Sequence, residues 1–212
     1  VYGMYTSGTT GRPKCTLNLH LGLHNRFRHM DRRYGQRSDE VALFSSKYDY
    51  DAGLWQLFWP ICNGGTCVIP HGREEIDFPR LSRLIHQWQV SFMDFVPTVF
   101  NVWVSHLEQH PADLPQLHSL RQLLIGGEYV NASSIRRFKA MLPQVAITNT
   151  YGATEASMGT VFFDIPEEVP DPIPIGLPID HVNAMILNDM LEPVPVGEIG
   201  ELYLEGDCVG QG

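Results

Sequence analysis

The sequence predicts an α/β domain: a mostly parallel sheet flanked by helices, followed by a β-rich, distorted barrel-like region. Three observations carry this. Through residues 1–160, short apolar runs alternate with stretches of three- and four-residue apolar spacing, the pattern of parallel strands with helices on both faces. From residue 161 prolines crowd in, at 166, 170, 172, 174, 178, 193 and 195, between short apolar runs. The 212 residues are 43% apolar, enough to bury a core and argue against disorder. The expected division is 1–160 and 161–212, two parts of one domain incomplete at both ends.

Taken in order, Val1 to Tyr5 reads as a short buried strand feeding a loop. Residues 5–14 are Tyr-Thr-Ser-Gly-Thr-Thr-Gly-Arg-Pro-Lys: two glycines, four hydroxyls (Thr6, Ser7, Thr9, Thr10), one lysine and no acid. Gly8 and Gly11 let the backbone turn and bring a ligand close to main-chain N–H groups. Hydroxyls, N–H groups and the charge of Lys14 suit a polyphosphate. This is not the nucleotide-hydrolase P-loop, because the glycines are too close and Pro13 and Cys15 flank the lysine. Leu19, Leu23, Phe27, Met30 and Tyr34 then mark an amphipathic helix, with Arg26, Arg28, Arg32 and Arg33 read as its solvated face. His20 reads as a packed or capping residue.

Strands are expected near residues 41–45, 67–70, 90–96, 120–125 and 145–148. Helices fall between them: one around Leu54, Leu57, Phe58 and Ile61, with Asp51 at its N-cap position. A second carries Leu81, Leu84, Ile85 and Trp88. A third opens at Pro97 with Val99, Trp103 and Leu107 inward, and a fourth carries Ile135, Phe138 and Met141. His106 and His110 are four apart, but the zinc-protease spacing is absent. The loop at residues 5–14, Gly126-Gly127-Glu128 and residues 149–155 each follow a strand, so they can converge on one cleft at the strands' carboxyl ends.

Four segments resemble the adenylate-forming (AMP-binding) superfamily in the right order. Residues 6–15 are similar to T-S-G-T-T-G-x-P-K-G, with Cys15 for the last glycine. Residues 50–58 are similar to F-D-x-S-V-W-E-x-F of the peptide-synthetase branch, with Gly53 for the serine. Residues 149–155, Asn-Thr-Tyr-Gly-Ala-Thr-Glu, are similar to N-x-Y-G-P-T-E, and residues 200–206 to G-E-L-x-I-x-G. The chain most resembles the adenylation domain of a nonribosomal peptide synthetase, as a fragment of its large N-terminal subdomain.

The resemblance implies roles. Thr6, Ser7, Gly8, Thr9, Thr10, Gly11 and Lys14 would grip the ATP phosphates. Tyr151 would pack on adenine, with Gly127, Glu128, Asn149, Gly152 and Thr154 lining the nucleotide site. Glu155 would hold Mg2+; Lys14, Thr10 and Glu155 form the catalytic set. Asp51 would pair with a substrate ammonium, which favours an amino acid over the acyl-CoA or aryl-acid ligase alternative. Ala52, Trp55, Asp94, Leu124, Gly126, Thr150, Met158 and Gly159 would form the rest of the substrate pocket. Asp94 is expected to hydrogen-bond an amide, amine or hydroxyl on the substrate, since a buried carboxylate needs a partner. The implied reaction forms an aminoacyl-AMP and then a thioester on the phosphopantetheine of a peptidyl carrier domain, with a condensation domain as a further partner. The downstream segments of the family are missing, among them the catalytic lysine, so this piece is expected to have little activity alone. An inactive remnant serving as a scaffold is the reading from another class, supported by Cys15 and Gly53.

Net charge is -9 with no basic block, which argues against nucleic acid and anionic membrane as partners. No apolar run reaches membrane-spanning length. Cys15, Cys62, Cys67 and Cys208 lack zinc-ligand spacing, and reduced thiols in a cytoplasmic setting are expected.

Overall fold

The computed structural model describes residues 2–6, 12–72 and 77–211. The chain opens with β1 (Tyr2–Thr6) and β2 (Lys14–Asn18), paired antiparallel from Tyr2↔Asn18 to Thr6↔Lys14 in a sheet of their own. This corrects two expectations: the first strand is half-exposed and outside the main sheet, and a second strand precedes the first helix. β1 is therefore one arm of an antiparallel pair and not a strand of the parallel sheet. The reason is an inverted alternation. In β2 the polar Thr16 and Asn18 are buried, while Cys15 and Leu17 are exposed, so hydropathy does not signal the strand.

Helix α1 (His20–Tyr34) buries Met30 and packs Leu23, Phe27 and Tyr34 against Trp55, Trp59 and Phe92. Arg26 departs from its expected solvated face: it is 2% exposed. Position 26 lies three residues after Leu23 and four before Met30, inside the buried stripe, so spacing outweighs residue type here. Arg32 and Arg33 do lie nearer solvent, paired with Asp180 and Asp164 at 2.6 Å each.

Strands and helices then alternate: β3 (Val41–Leu43), α2 (Ala52–Cys62), β4 (Thr66–Val68), α3 (Phe78–Trp88), β5 (Phe92–Phe95), α4 (Pro97–Gln109), β6 (Gln122–Gly126), α5 (Ala132–Met141) and β7 (Ala146–Tyr151). Two of these helices start on side-chain caps. Asp77 accepts from the Arg80 N–H at 3.3 Å, and Asn131 accepts from the Ser133 N–H at 2.8 Å. Trp88, expected on the apolar stripe of α3, is 53% exposed.

The five strands β3 to β7 are parallel. They continue antiparallel into β8 (Val161–Asp164) and β9 (Leu177–Pro178), giving a seven-stranded sheet in the order β4-β3-β5-β6-β7-β8-β9. The period of two sends neighbours to opposite faces. Ala42, Phe92 and Leu124 join the core under α1 and α2. Leu43, Met93 and Leu123 join the core under α3, α4 and α5, with Ile85, Trp103 and Phe138. Each such fully buried apolar side chain contributes about 1.5–3 kcal/mol. The proline-rich stretch ends in a separate antiparallel hairpin, β10 (Val182–Leu187) with β11 (Glu201–Gly206). Among the described residues no helix is long and apolar enough to cross a membrane.

Candidate active site

In an open sheet of parallel strands, the crevice lies beyond the strands' carboxyl ends. Here β5, β6 and β7 end beside the start of α2, and together they enclose a cavity of about 410 Å³. The start of α2 supplies Asp51, Ala52 and Trp55, and β5 supplies Asp94. The end of β6 supplies Gly126, Gly127 and Glu128; the end of β7 and the turn after it supply Thr150, Gly152, Met158 and Gly159. Of the predicted substrate positions only Leu124 is elsewhere: it is fully buried in the core with Trp55 and Met158, behind the cavity wall.

Two glycines make this convergence possible. A Cβ on Gly126 would lie 2.1 Å from the Thr150 carbonyl oxygen, and one on Gly152 would lie 2.0 Å from that of Met158. Strand ends and turn therefore touch through backbone. Gly53, where the family pattern has serine, sits where a Cβ would meet the Phe44 ring at 3.2 Å.

The wall is stiff on its apolar side. Trp55 packs on Phe92 at 5.0 Å between centroids, and its Nε1–H donates to Asp94 Oδ2 at 3.2 Å. Burial pushes the Asp94 carboxyl up to about 6, against the Trp55 hydrogen bond and the nearby charge of Arg26. Asp51 occupies the N-cap position of α2 without capping it by a side-chain hydrogen bond. Burial raises its pKa, opposed by the Thr154 side chain and by Arg26. Glu128 accepts from the N–H and hydroxyl of Thr98 at the start of α4.

The remaining predicted residues surround this cavity or fall outside it. Ser7, Gly8, Thr9, Thr10 and Gly11 lie outside the described residues. Thr6 donates its hydroxyl to the Lys14 carbonyl at 3.4 Å, and Lys14 is exposed at the start of β2. Tyr151 is 41% exposed next to the cavity-lining Thr150 and Gly152. The Asn149 side chain is buried and donates to the Pro174 carbonyl at 2.8 Å, which ties β7 to the following stretch. Thr154 and Glu155 lie on a short 3-10 turn (Thr154–Ala156). That turn is fastened to the first hairpin: Asn18 Nδ2 donates to the Thr154 carbonyl at 2.9 Å, and Ser157 Oγ donates to Asn18 Oδ1 at 3.2 Å. Ser157 and Met158 both hold positive φ, 58° and 75°, a conformation that costs a non-glycine residue roughly 1–2 kcal/mol. The Asn18 contact and the burial of Met158 hold it there.

The family model for the AMP-binding enzyme matches residues 1–212. This chain belongs to the AMP-binding enzyme family. Among curated relatives of this AMP-binding chain is a plipastatin synthase polypeptide of Bacillus subtilis (strain 168), 34% identical over 213 residues that cover 100% of the chain and 6% of the relative. Another is zwittermicin A synthase ZmaJ of Bacillus cereus, 31% identical over 100% of the chain and 41% of the relative. The chain thus spans under half the length of either protein. Solved structures agree. The nonribosomal peptide synthetase FmoA3 in its AMPPNP-bound form superposes with a TM-score of 0.91 at 26% identity, covering 100% of this chain and 22% of that one. PA1221, described as containing adenylation and PCP domains, superposes at 0.84 and 26% identity, covering 100% and 42%. The fold is that of a fragment of the large N-terminal subdomain of such adenylation domains.

Sequence reasoning missed several residues of this AMP-binding chain's cavity. Arg26, Ser45, Ser46, Lys47 and Tyr50 also line it. Arg26 was discoverable from its place in the helical stripe. The segment 45–50 is irregular, and no periodicity marks it.

Proposed function

We propose that this chain is the nucleotide- and amino-acid-binding part of a domain that activates an amino acid carboxylate as aminoacyl-AMP for peptide synthesis. A carboxylate oxygen attacks the α-phosphorus of ATP, the bond to pyrophosphate breaks, and the acyl-adenylate remains. The sulfur of a carrier-bound phosphopantetheine then attacks the acyl carbon and AMP leaves. A peptidyl carrier domain and a condensation domain are the partners, in the cytoplasm. One observation carries the reading: Asp51 shares a single cavity with Gly126, Gly127 and Gly152. An anchor for an ammonium ion and the backbone turns of a nucleotide site thus face the same space.

The roles follow from chemistry. Thr6, the hydroxyls of residues 7–10 and Lys14 hold the phosphates as donors. Fixed donors aid phosphoryl chemistry where charge builds on oxygen. Tyr151 offers a half-exposed ring for adenine. Glu155 is exposed, on the turn fastened to the first hairpin. It fits Mg2+, which binds through one or two carboxylates plus phosphates and keeps several waters. The bound ion would neutralise phosphate charge; Glu155 would hold and orient it.

The test is ATP–pyrophosphate exchange by the complete adenylation domain with amino acids and with fatty and aryl acids. Asp51→Asn is expected to lower kcat/KM for amino acids about a hundredfold, the size expected from breaking a buried charge pair, while ATP binding persists. Undiminished amino acid exchange by Asp51→Asn would overturn the reading.

A further inference from the structure

Arg26 is a buried, charged side chain of the cavity with no work in the roles above. Arg26 lines the same space as Asp51 and Asp94, projecting from α1. It is 2% exposed, and its Nε and Nη1 atoms are buried with no hydrogen-bond partner. Its guanidinium lies 4.3 Å from the centroid of the Phe162 ring. That stacking holds the plane but satisfies no N–H. Among the described residues no ion pair closes Arg26 against either carboxylate. An unsatisfied buried donor costs about 1–3 kcal/mol, more when charged; Nη2 is not among these sealed atoms, and it is the guanidinium donor left to face the cavity that Arg26 lines.

The two polar walls are complementary. Arg26 offers only donors, and Asp94 offers acceptors, one of them already shared with Trp55. Burial of the guanidinium pulls its pKa down to about 10, while Asp94 and Asp51 oppose that. It stays charged at neutral pH. A cationic substrate side chain would meet Arg26 and an anionic one would meet Asp94. An apolar one would leave both unpaired. A neutral tip with one acceptor and one N–H donor satisfies both walls at once.

We infer that the side-chain end of this cavity recognises a carboxamide, with Arg26 donating to its oxygen and Asp94 accepting from its nitrogen. The substrate class is therefore glutamine or asparagine, and Arg26 is a specificity-determining residue. The inference rests on the proposed amino acid activation with Asp51 as ammonium anchor.

The experiment is pyrophosphate exchange by the complete adenylation domain with glutamine, asparagine, glutamate, aspartate, lysine and leucine. Glutamine or asparagine should exceed the other four in kcat/KM by about tenfold to a hundredfold or more, since a site built for a hydrogen bond rejects analogues lacking it. Preference for leucine, lysine or an acidic amino acid would overturn the inference and leave the activation reading standing. Exchange with none of the six would overturn the inference, and exchange only with the fatty or aryl acids of the assay above would overturn the activation reading as well. Arg26→Met should bring the carboxamide-to-leucine ratio down at least about tenfold; an unchanged ratio overturns the role of Arg26. If that variant does not fold, calorimetric binding of non-hydrolysable glutaminyl and glutamyl adenylate analogues to the wild-type domain decides. Tighter glutaminyl binding supports the carboxamide site, and equal or weaker binding overturns it.

Discussion

Asp94 interrupts an otherwise apolar strand, and its place at the cavity explains why the interruption is tolerated. It is half-buried, since it faces the cavity, with Trp55, Gln56, Arg26 and Asp51 around it. Burial pushes its pKa up to about 6 from 3.8. Between these values the folded chain holds the proton more tightly than the unfolded chain, so stability falls as pH rises through that window. A shift of this size corresponds to at most roughly 3 kcal/mol, less where cavity water relieves the burial. Asp94→Asn should therefore flatten the pH dependence of the unfolding free energy between pH 4 and 6; denaturant titrations at a series of pH values that give both forms the same change of unfolding free energy with pH would refute this. The sequence disclosed Asp94 because an acid in an apolar strand is conspicuous. It hid Arg26, because an arginine beside Arg28, Arg32 and Arg33 looks like one more solvated charge. Only the 23–26–30 spacing told otherwise, and composition masks that signal.

The elements that carry the site differ in how plainly the chain announces them. The five parallel strands and the helices between them were legible, because short apolar runs give way to three- and four-residue apolar spacing. The first hairpin was not, since β2 turns Thr16 and Asn18 inward and Leu17 outward. Its polar inward face has a use: Asn18 holds the Thr154–Ala156 turn from both sides through its amide nitrogen and oxygen. Asn18→Ala removes both bonds and leaves the Thr154 carbonyl and Ser157 hydroxyl without them, an expected loss of about 1–3 kcal/mol. The strained Ser157–Met158 backbone loses its support at the same time. In the complete domain, a raised KM for ATP with little change in amino acid KM is the expected kinetic result; an unaltered KM for ATP would show that the hairpin and turn act independently. The glycine at the end of β6 makes a sharper case. Gly126→Ala drives a Cβ against the Thr150 carbonyl, a backbone atom that cannot swing away. A loss of about 1–3 kcal/mol in stability is expected from overpacking, measurable by thermal or denaturant unfolding, and an unchanged midpoint would refute the contact.

Across the whole molecule, stability and function occupy different parts of the structure. The parallel strands are sealed between two cores, and Leu123, Leu124 and Ile125 of β6 are all fully buried. The hairpins are not sealed. In β10, Asn183 to Ile186 are exposed, and beyond it Val196 and Ile199 are almost wholly so. Tyr5 and Leu17 of the first hairpin are 75% and 51% exposed. Local opening requires only the contacts of the segment that opens, whereas the buried strands exchange through unfolding of the whole sheet. Thr6 and Lys14, proposed to face phosphate, thus lie on the exposed first hairpin, while the cavity is walled by the ends of the buried strands. Hydrogen exchange on this chain should find the slowest amides in β5, β6 and β7. Those of β1–β2 and β10–β11 should exchange about a thousandfold faster or more, given the gap between local and global opening. Adding ATP should slow β1–β2 and leave β10–β11 unchanged, because only the first hairpin carries the proposed phosphate donors. Uniform protection across both hairpins and the sheet would mean that the molecule opens as one unit, and the division between buried strands and exposed hairpins would have to be given up.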